Sequence, residues 1–456
     1  MSAYTRLCSA VLFPLHERLK GHTSTALRAQ LERTQWLDGA ALLELQTRRL
    51  REFCVTVRDT VPYYSRLFAE AGFAPEQLAS PRDLERLPFL TKAAIRSNVE
   101  QLKAINARRL VRYNTGGSSG EPLVFYMGMG RVSHDVAAKW RATRWWDVDI
   151  GDPEVVIWGS PIELGAQDRL KAMRDRLLRT HLLPAFAMSE QRMDEFLDSL
   201  RRVRPRMVFG YASAVALLAG HALQRGVRLD DLGVRVAFVT GETLYPQQRQ
   251  VIEQGFGAPV ANGYGSRDAG FIAHQCRSGS LHVSAEHILV ELVDANGAPV
   301  PPGETGEVVV THLGTAEFPF IRYRTGDMAV QSREPCACGR GLPVLATVHG
   351  RSTDFIRTRS GNVMHALALI YEVRDDPAVR AFKFIQAEDL SIELQIVPSA
   401  DFTGELQQRI AAKLARRLGA DTPLTISQVE QIAPEKSGKY RYVVSRASSG
   451  SVGAGQ

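Results

Sequence analysis

The sequence is poor in cysteine, nearly balanced in charge and without a long apolar run. Its five cysteines cannot all pair and are too few for a disulfide scaffold, which indicates a reducing, cytoplasmic environment. The net charge of +7 is spread over 456 residues, unlike the concentrated basic footprint of a nucleic-acid-binding protein. No stretch reaches the roughly 18 apolar residues of a membrane span. We therefore expect no nucleic-acid partner and no membrane span.

One shorter apolar run, Leu7–Leu15, has two interpretations. It lacks a basic leader before it and is followed by charged residues. These features favour a buried helix segment over a signal peptide.

The remaining composition is that of an ordinary globular protein, with 45% hydrophobic and 23% charged residues. At about 150 residues per domain, the length suggests two to four structural units. Leucines recur at helical spacing from residue 24 to about residue 70. Residues 1–105 are therefore predicted to form a helical lead-in.

Short apolar runs alternate with helix-like segments from about residue 110. The runs at 154–160, 205–210 and 234–241 are nearly all apolar, which is typical of parallel strands covered on both faces. Residues 281–332 carry turn signals between strands and predict antiparallel hairpins. The expected fold class is α/β, with layered sheets and an antiparallel β subdomain in a large N-terminal domain over 1–350.

The pattern changes again after Gly350. A strand pair, a helix near 366–375, two strands, a helix at 403–418 and a strand near 424–430 predict a small C-terminal α+β domain over 351–446. The Gly/Ser-rich end, residues 447–456, is predicted to be a flexible tail.

The sharpest local motif is a Gly/Ser-rich loop between two apparent strands. Consecutive glycines let the backbone approach a ligand, and exposed N–H groups with hydroxyls form a concavity that binds anions. The loop lacks the Gly-Lys-Ser/Thr ending of a Walker motif, so no P-loop NTPase is implied. A plain linker is the alternative interpretation. The residues of the candidate phosphate loop are Thr115, Gly116, Gly117, Ser118, Ser119 and Gly120.

Two further features suit nucleotide chemistry. Asp327 lies at the end of a predicted strand beside Gly326, where a carboxylate can accept both hydrogens of a ribose diol. Lys439 lies in a C-terminal loop and can neutralise charge that develops on a phosphate. A hairpin turn and a solvated loop are the respective alternatives.

These three features, in this order, resemble the adenylate-forming ligase superfamily, in its phenylacetate–CoA ligase and CapK-like branch. The resemblance runs from about residue 55 to 445. The other motifs that carry it are VPYYSRLF at 61–68, LERLPFLTK at 84–92, GYASAVALLA at 210–219, TGETL at 240–244, NGYGSRDAG at 262–270, CGRGLPVLATVHGRSTDFI at 338–356 and SGKYR at 437–441.

The resemblance implies a set of nucleotide-binding residues. They are Thr115 to Gly120 for the phosphates, Gly241 and Glu242 for the adenine side, Tyr264 for stacking on adenine, Gly265 and Ser266 beside it, and Asp327 for the ribose. It also implies that Asp268 holds Mg²⁺, that Arg351 contacts the nucleotide, that Asp354 is the hinge of a mobile C-terminal lid, and that Lys439 bridges the reacting carboxylate and phosphate. Lys439, Asp268 and Arg351 are thus the implied catalytic residues.

The chain departs from the usual family pattern at two places. Ser266-Arg267-Asp268 stands where the superfamily usually has Thr-Glu, and aspartate is one methylene shorter than glutamate. The phosphate loop also has no lysine where many acyl-CoA ligases carry one. Both departures resemble the CapK-like side of the branch and weaken the expectation of CoA as acceptor more than that of adenylation.

A second candidate metal site is formed by Cys276, His282, Cys336 and Cys338. Two thiolates one residue apart can bind one metal, and a distant Cys/His pair completes a tetrahedral Cys₃His set. The spacing is not that of a standard zinc finger, so reduced cysteines in turns remain the alternative. Some members of the resembled branch carry a structural zinc at matching positions. His274 is a competing ligand, and the other cysteines are expected to be ordinary thiols.

Two composition features remain. Trp140, Trp145 and Trp146 could line an acyl pocket, although core packing is the simpler interpretation. The basic runs at 171–181 and 201–206 could attract phosphates or an acidic carrier protein, with a solvated helix face as the alternative.

The resemblance implies an ATP-dependent, AMP-forming ligase. Such an enzyme activates a carboxylic acid, here aryl or acyl, as acyl-AMP with release of pyrophosphate and transfers it to a thiol, in the first place CoA. The first alternative transfers the acyl group to an amine, a hydroxyl or a carrier-protein thiol. The second is a non-catalytic, zinc-stabilised nucleotide-binding protein. The oligomeric state stays open, with a homodimer as one option.

Overall fold

The structure is a computed structural model. It describes residues 2–114, 123–158, 169–185, 188, 190–351, 355–360, 363–365, 367–373, 376–419, 421–433 and 441–447. The chain divides into two compact units, the first comprising Met1–Thr325 with Ala329–Val348 and the second comprising Gly326–Met328 with His349–Gln456.

Helices dominate the first hundred residues and cover the sheets further on. The described α-helices are α1 (Ala3–Leu7), α2 (Phe13–Leu19), α3 (Ser24–Thr34), α4 (Gly39–Thr60), α5 (Pro62–Glu70), α6 (Lys92–Ser97), α7 (Met129–Arg144), α8 (Arg169–Leu177), α9 (Glu190–Val203), α10 (Ala212–Gln224), α11 (Pro246–Phe256), α12 (Leu367–Val373) and α13 (Gly404–Leu418). A π-helical turn, Cys8–Leu12, joins α1 to α2, and short 3₁₀ turns cover Pro75–Gln77 and Pro81–Arg86.

The strands follow one another between these helices. They are β1 (Val111–Asn114), β2 (Val124–Met127), β3 (Glu154–Trp158), β4 (Thr180–Pro184), β5 (Met207–Gly210), β6 (Val236–Thr240), β7 (Val260–Ser266), β8 (Gly270–Gln275), β9 (Leu281–Val283), β10 (Ile288–Val293), β11 (Thr305–His312), β12 (Tyr323–Gln331), β13 (Val344–Arg351), β14 (Phe355–Arg357), β15 (Val363–His365), β16 (Val379–Gln386), β17 (Ile392–Pro398), β18 (Leu424–Gln428) and β19 (Val443–Ser445).

The largest sheet has eleven strands in the order β10-β11-β12-β13-β9-β8-β7-β6-β5-β3-β4. The five strands β4, β3, β5, β6 and β7 are parallel, whereas β7, β8 and β9 pair antiparallel. Every residue of β5 and β6 is buried: α9, α10 and α11 pack on one face, and on the other face Met207, Phe209, Val236 and Phe238 belong to the core cluster that also contains Trp145 and Trp146. The α/β fold class is thereby confirmed, as is the prediction that the apolar runs form parallel strands.

The antiparallel part also follows the sequence pattern. β10 pairs antiparallel with β11, with Asn296 and Gly297 in the connecting segment. β1 pairs antiparallel with β2, so that Asn114 lies opposite Val124 and the candidate phosphate loop joins the two strands.

The second unit is the α+β arrangement expected from its sequence. β14 and β15 form an antiparallel pair, and a four-stranded sheet has the order β18-β17-β16-β19. The apolar face of α13 is buried through Leu406, Ile410 and Leu414. The last strand, β19, lies parallel to β16 and was not predicted, because its three residues are too few to show a period.

The interpretation of Leu7–Leu15 as a buried segment is wrong in one respect. The segment is helical, but Leu7, Val11 and Leu15 are about half exposed, because Thr5, Cys8, Phe13 and Glu17 occupy the buried face instead. The three tryptophans Trp140, Trp145 and Trp146, in contrast, are buried as expected for core packing. No described helix has both the length and the mean hydropathy of a membrane-spanning segment.

Candidate nucleotide and metal sites

The predicted adenine-side residues meet at one edge of the large sheet. Because β6 and β7 are parallel, with Thr240 opposite Gly263, their carboxyl ends lie side by side. Gly241 and Glu242 follow β6, and Tyr264 follows Gly263 in β7. Ligands of open parallel sheets bind at this edge. Gly241, Glu242 and Tyr264, far apart in sequence, are thus brought together.

The segment after β6 is held in an unusual backbone conformation. Gly241 has φ +81°, which disfavours any residue with a Cβ. A Cβ there would also lie 3.2 Å from the Tyr211 ring and 3.4 Å from the Trp158 ring. The Glu242 carboxylate accepts a hydrogen bond of 2.9 Å from the backbone N–H of Ser213, which ties this segment to the start of α10.

Trp158 and Tyr211 form an aromatic wall at the same edge. Both residues lie at the carboxyl ends of their strands, and their rings stack at a centroid distance of 4.1 Å. Neither was assigned a role from the sequence, although Tyr211 lies in the motif GYASAVALLA at 210–219. Only the parallel register of β3 and β5 shows that the two residues are neighbours.

Asp268 lies in the short turn between β7 and β8. Both of its carboxylate oxygens accept a hydrogen bond of 2.5 Å, one from the Ser266 hydroxyl and the other from the Tyr323 hydroxyl. The side chain is buried, with 4% of the residue exposed. Gly265 allows this tight turn, because a Cβ there would collide with the backbone oxygen of Gly270. The Asp268 carboxylate is thus fixed at the sheet edge, and each of its oxygens accepts one of these hydrogen bonds and keeps a further lone pair.

The environment of Asp268 favours its ionised form. Burial alone would raise the pKa of this carboxyl, but the hydroxyl donors Ser266 and Tyr323 and the positive charge of Lys92 together hold the pKa below its ordinary value. An ionised, buried carboxylate at a sheet edge is the kind of group that holds Mg²⁺. The donor set at Asp268 therefore fits that ion.

Arg131 fixes the backbone that carries Asp268. The guanidinium projects from α7, is 1% exposed, and donates to the backbone oxygens of Asp268 at 3.1 Å and Arg267 at 3.0 Å. Its Nε donates to Asp135 at 2.9 Å. Arg131, Tyr323 and Lys92 are site residues that sequence reasoning missed. Lys92 is the last residue of the motif LERLPFLTK at 84–92, and its position in that motif did not indicate a role at the site.

Of the remaining predicted nucleotide-site residues, the structure describes Asp327 and Arg351. Asp327 lies in β12 directly after Gly326, whose φ is +78°. Arg351 is the last residue of β13. The phosphate loop Thr115–Gly120, the hinge residue Asp354 and Lys439 lie outside the described residues, and their roles stay predictions.

The four predicted zinc ligands converge. Cys276 follows β8, His282 lies in β9, and Cys336 and Cys338 lie between β12 and β13, yet their ligand atoms all fall within 4.8 Å of one another. The Sγ atoms of Cys276 and Cys336 are 3.7 Å apart, and Cys338 Sγ is 3.3 Å from His282 Nε2. In a tetrahedral site with zinc–sulfur bonds of about 2.3 Å, two sulfurs are about 3.8 Å apart. The geometry therefore fits zinc.

Neighbouring groups orient the histidine for this role. His282 Nδ1 lies 3.3 Å from the backbone oxygen of Leu342, to which it can donate, leaving Nε2 as the acceptor that faces the thiols. Burial lowers the pKa of His282 to about 4, so the ring is neutral. His274, the competing ligand, is not part of the cluster. It lies opposite His282 in the β8–β9 ladder but packs against Phe238 and Phe271.

Comparisons with known proteins agree with this arrangement. The family model "AMP-binding enzyme" matches residues 178–317, and "CapK C-terminal domain" matches residues 355–446. Protein CapK of Staphylococcus aureus is 23% identical over 88% of this chain and 89% of its own length. A phenylacetate-coenzyme A ligase of Thermus thermophilus is 26% identical over 88% of this chain and 96% of its own length. The chain belongs to the adenylate-forming superfamily, in its phenylacetate–CoA ligase and CapK-like branch.

Solved structures give the same fold for this adenylate-forming protein. A 2-hydroxyisobutyryl-CoA ligase in the postadenylation state, bound to an acyl-adenylate, superposes with a TM-score of 0.75 at 21% identity. The match covers 91% of each chain. The predicted family is thus confirmed by the family models and relatives, and the predicted fold by the solved structure.

Proposed function

We propose that this chain is an ATP-dependent, AMP-forming carboxylate–CoA ligase. In the first half-reaction, the carboxylate of an aryl or acyl acid attacks the α-phosphorus of ATP, giving acyl-AMP and pyrophosphate. In the second, the thiol of CoA attacks the acyl carbon and releases AMP. The observation that carries this proposal is the buried Asp268 carboxylate, held by the Ser266 and Tyr323 hydroxyls just after β7, the strand that brings Tyr264 to the carboxyl end of β6.

In adenylation, different residues of the chain bind different parts of ATP. Tyr264 stacks on adenine, Gly241 and Glu242 line its side, and Asp327 binds the ribose, while Thr115–Gly120 hold the phosphates. Arg351 and Lys439 contact the nucleotide from the C-terminal side. Lys439 offsets the negative charge that grows as the carboxylate attacks the α-phosphate.

Asp268 and Lys92, which belong to the first unit, also act on the phosphates. Asp268 would hold Mg²⁺, and the bound ion would supply positive charge next to the leaving pyrophosphate. Lys92 supplies a cation near this carboxylate, since its positive charge lowers the pKa of Asp268.

The aromatic wall of Trp158 and Tyr211 supports an aryl or acyl substrate. Trp158 is half-buried and stacks on the buried Tyr211 beside Gly241, and apolar walls with few polar groups are usual for small-molecule sites. We propose that the acid's organic group lies against this wall.

The second cofactor is a structural zinc. Cys276, His282, Cys336 and Cys338 leave no coordination position for substrate, so the ion would stabilise the connection between β8–β9 and β12–β13 without entering the reaction. The cysteines also bear on the compartment. Because all five are free thiols and three of them face one another, we propose that the enzyme works in a reducing cytoplasm.

Two alternatives have separate signatures. The first transfers the acyl group to an amine, a hydroxyl or a carrier-protein thiol in place of CoA, and the second, a non-catalytic nucleotide-binding protein, would show no turnover. ATP–pyrophosphate exchange, run over a panel of aryl and aliphatic acids with and without CoA, separates them. The proposal expects acid-dependent exchange without CoA and a thioester when CoA is added. Exchange without any thioester supports a different acceptor, and absence of exchange with every acid favours the non-catalytic alternative.

Tyr323→Phe tests how Asp268 is kept ionised. The Tyr323 hydroxyl donates to the charged form and so lowers the pKa of Asp268; its removal raises that pKa. Activity that needs ionised Asp268 is lost as pH falls through its pKa, so the acid limb of the pH profile moves to higher pH. We expect roughly a ten-fold loss of kcat/KM at mildly acidic pH and a smaller loss at neutral pH. A uniform loss at every pH would contradict this role.

Asp354→Pro tests the proposed swing of residues 351–446 between the two half-reactions. A proline restricts φ and removes a backbone donor at the hinge. We expect ATP–pyrophosphate exchange within about two-fold of the unmodified enzyme and thioester formation at least about ten-fold slower. Equal loss of both half-reactions would count against the swing.

A further inference from the structure

The half-exposed residues of Leu7–Leu15 belong to a continuous apolar stripe on the surface. The outward face of α1, the π-helical turn and α2 repeats at three- and four-residue spacing, which places its members in one line. We call this line the N-terminal stripe; its members, with their exposed fractions, are Tyr4 (38%), Leu7 (47%), Val11 (50%), Leu15 (54%) and Leu19 (79%). Exposed apolar patches of this kind mark interaction sites.

Helix α8 widens the stripe. Met173 and Leu177 are exposed by 65% and 47%, and the Tyr4 hydroxyl donates to the Leu177 backbone oxygen at 2.7 Å. The stripe is therefore not the seam of one isolated helix but part of a surface built from two segments distant in sequence.

Positive charge borders this apolar surface. Arg6, Arg18 and Lys20 are exposed, and the only acidic residue between positions 2 and 20, Glu17, is buried and bonded to Ser24 and His22. The Arg179 guanidinium lies 5.6 Å from the centre of the Tyr4 ring.

The adjoining sheet edge adds three arginines, of which Arg235 is paired with Asp147 at 3.7 Å. Arg179, Arg206 and Arg235 each directly precede one of the parallel strands β4, β5 and β6, so all three lie at the amino ends of these strands. This edge is opposite to the one that holds Gly241 and Asp268. The two basic runs, 171–181 with Arg179 and 201–206 with Arg206, therefore contribute to one surface.

A cleft of about 270 Å³ opens in this edge next to α1. Arg179, Arg204 and Arg206 line it, and Nε of Arg206 is buried without a hydrogen-bond partner among the described residues. One carboxylate, Asp152, also lines the cleft; it is buried and accepts hydrogen bonds from the Thr5 hydroxyl and the Asp149 N–H, so three arginines face a single acidic side chain. An arginine-lined cleft of this size fits a phosphate group.

We propose that this face docks the enzyme on an anionic lipid surface. The N-terminal stripe enters the boundary between headgroups and acyl chains, while the bordering cations and the arginine cleft bind lipid phosphates. Helices with an apolar face and basic flanks bind membranes in this way. Charge decides against a second copy of the chain as the occupant, because a two-fold contact would bring these cations together. The proposal does not depend on the reaction that the enzyme catalyses.

Vesicle flotation with the full-length protein tests the proposal. Vesicles contain either phosphatidylcholine alone or equal parts of phosphatidylcholine and phosphatidylglycerol. We expect flotation with the anionic vesicles, little with the neutral ones, and release at high salt. The combined variant Leu7→Gln, Val11→Gln and Leu15→Gln is expected to bind at least about ten-fold more weakly.

Matched variants distinguish docking from loss of structure. Leu43→Gln, Leu217→Gln and Leu223→Gln remove three equally exposed leucines from α4 and α10 and should float like the unmodified protein. Arg6→Gln, Arg18→Gln and Lys20→Gln should remove the preference for anionic lipid. Three results would overturn the proposal: equal flotation with both vesicle types, undiminished flotation of the stripe variant, or a dimer in solution that the stripe variant dissociates.

Discussion

Asp268→Asn is expected to reduce kcat/KM for pyrophosphate formation by about 10³-fold. The amide has the shape of the carboxylate, and it can still accept one hydroxyl hydrogen bond and donate to the other hydroxyl, so Ser266 and Tyr323 keep their partner. What is lost is the negative charge that we propose to bind Mg²⁺. The measurement is the rate of acid-dependent pyrophosphate release over a range of Mg²⁺ concentrations.

The magnesium series and a control distinguish a lost ligand from a lost fold. Asp198→Asn changes an exposed aspartate on α9 and should leave the rate within about two-fold. If Asp268→Asn retained more than a tenth of the activity at every Mg²⁺ concentration, Asp268 would not be the metal-binding carboxylate and the mechanism would need another.

Replacing Cys336 and Cys338 together by serine is expected to remove zinc and destabilise the first unit. The two thiols lie with Cys276 and His282 around one point, and a site with four protein ligands contributes its binding free energy to folding. We expect the metal content to fall from one zinc per chain to almost none and the free energy of unfolding to fall by more than about 3 kcal/mol. Metal analysis and denaturant unfolding measure the two effects.

Cys54→Ala provides the comparison for the zinc variant. Cys54 is a fully buried thiol in α4 outside the cluster, and burial raises its pKa to about 12. Its replacement should cost about 1 kcal/mol of packing and leave the zinc content unchanged. A zinc-free unmodified protein, or a double serine variant as stable as the unmodified one, would refute the zinc site.

The sequence predicted the parallel core because burial on both faces leaves a direct mark on composition. The strands β3, β5 and β6 read as continuous apolar runs, and the structure pairs all three in parallel. The convergence of Cys276, His282, Cys336 and Cys338 agrees with the ligand set expected from the sequence, while the zinc itself stays a prediction. That His274 packs against two phenylalanines instead could be decided only from the structure.

The residues that support the site carried a weaker signal. Arg131 acts on the backbone oxygens of the Asp268 turn, and any arginine in α7 could have pointed elsewhere. The exposure of Leu7 and Leu15 was mispredicted because an apolar run shows only that a helix has apolar residues. Which face is buried was decided by Thr5, Cys8, Phe13 and Glu17, two of which are polar.

Above all, we propose that this chain transfers an adenylyl group from ATP to a carboxylate. A substrate acid labelled with heavy oxygen in its carboxylate tests this directly in a complete reaction with ATP, Mg²⁺ and the acceptor. Because acyl-AMP contains a bridging oxygen from the acid, one labelled oxygen should be recovered in the phosphate of AMP. Label in inorganic phosphate, or AMP without label in a reaction that forms product, would contradict adenylation.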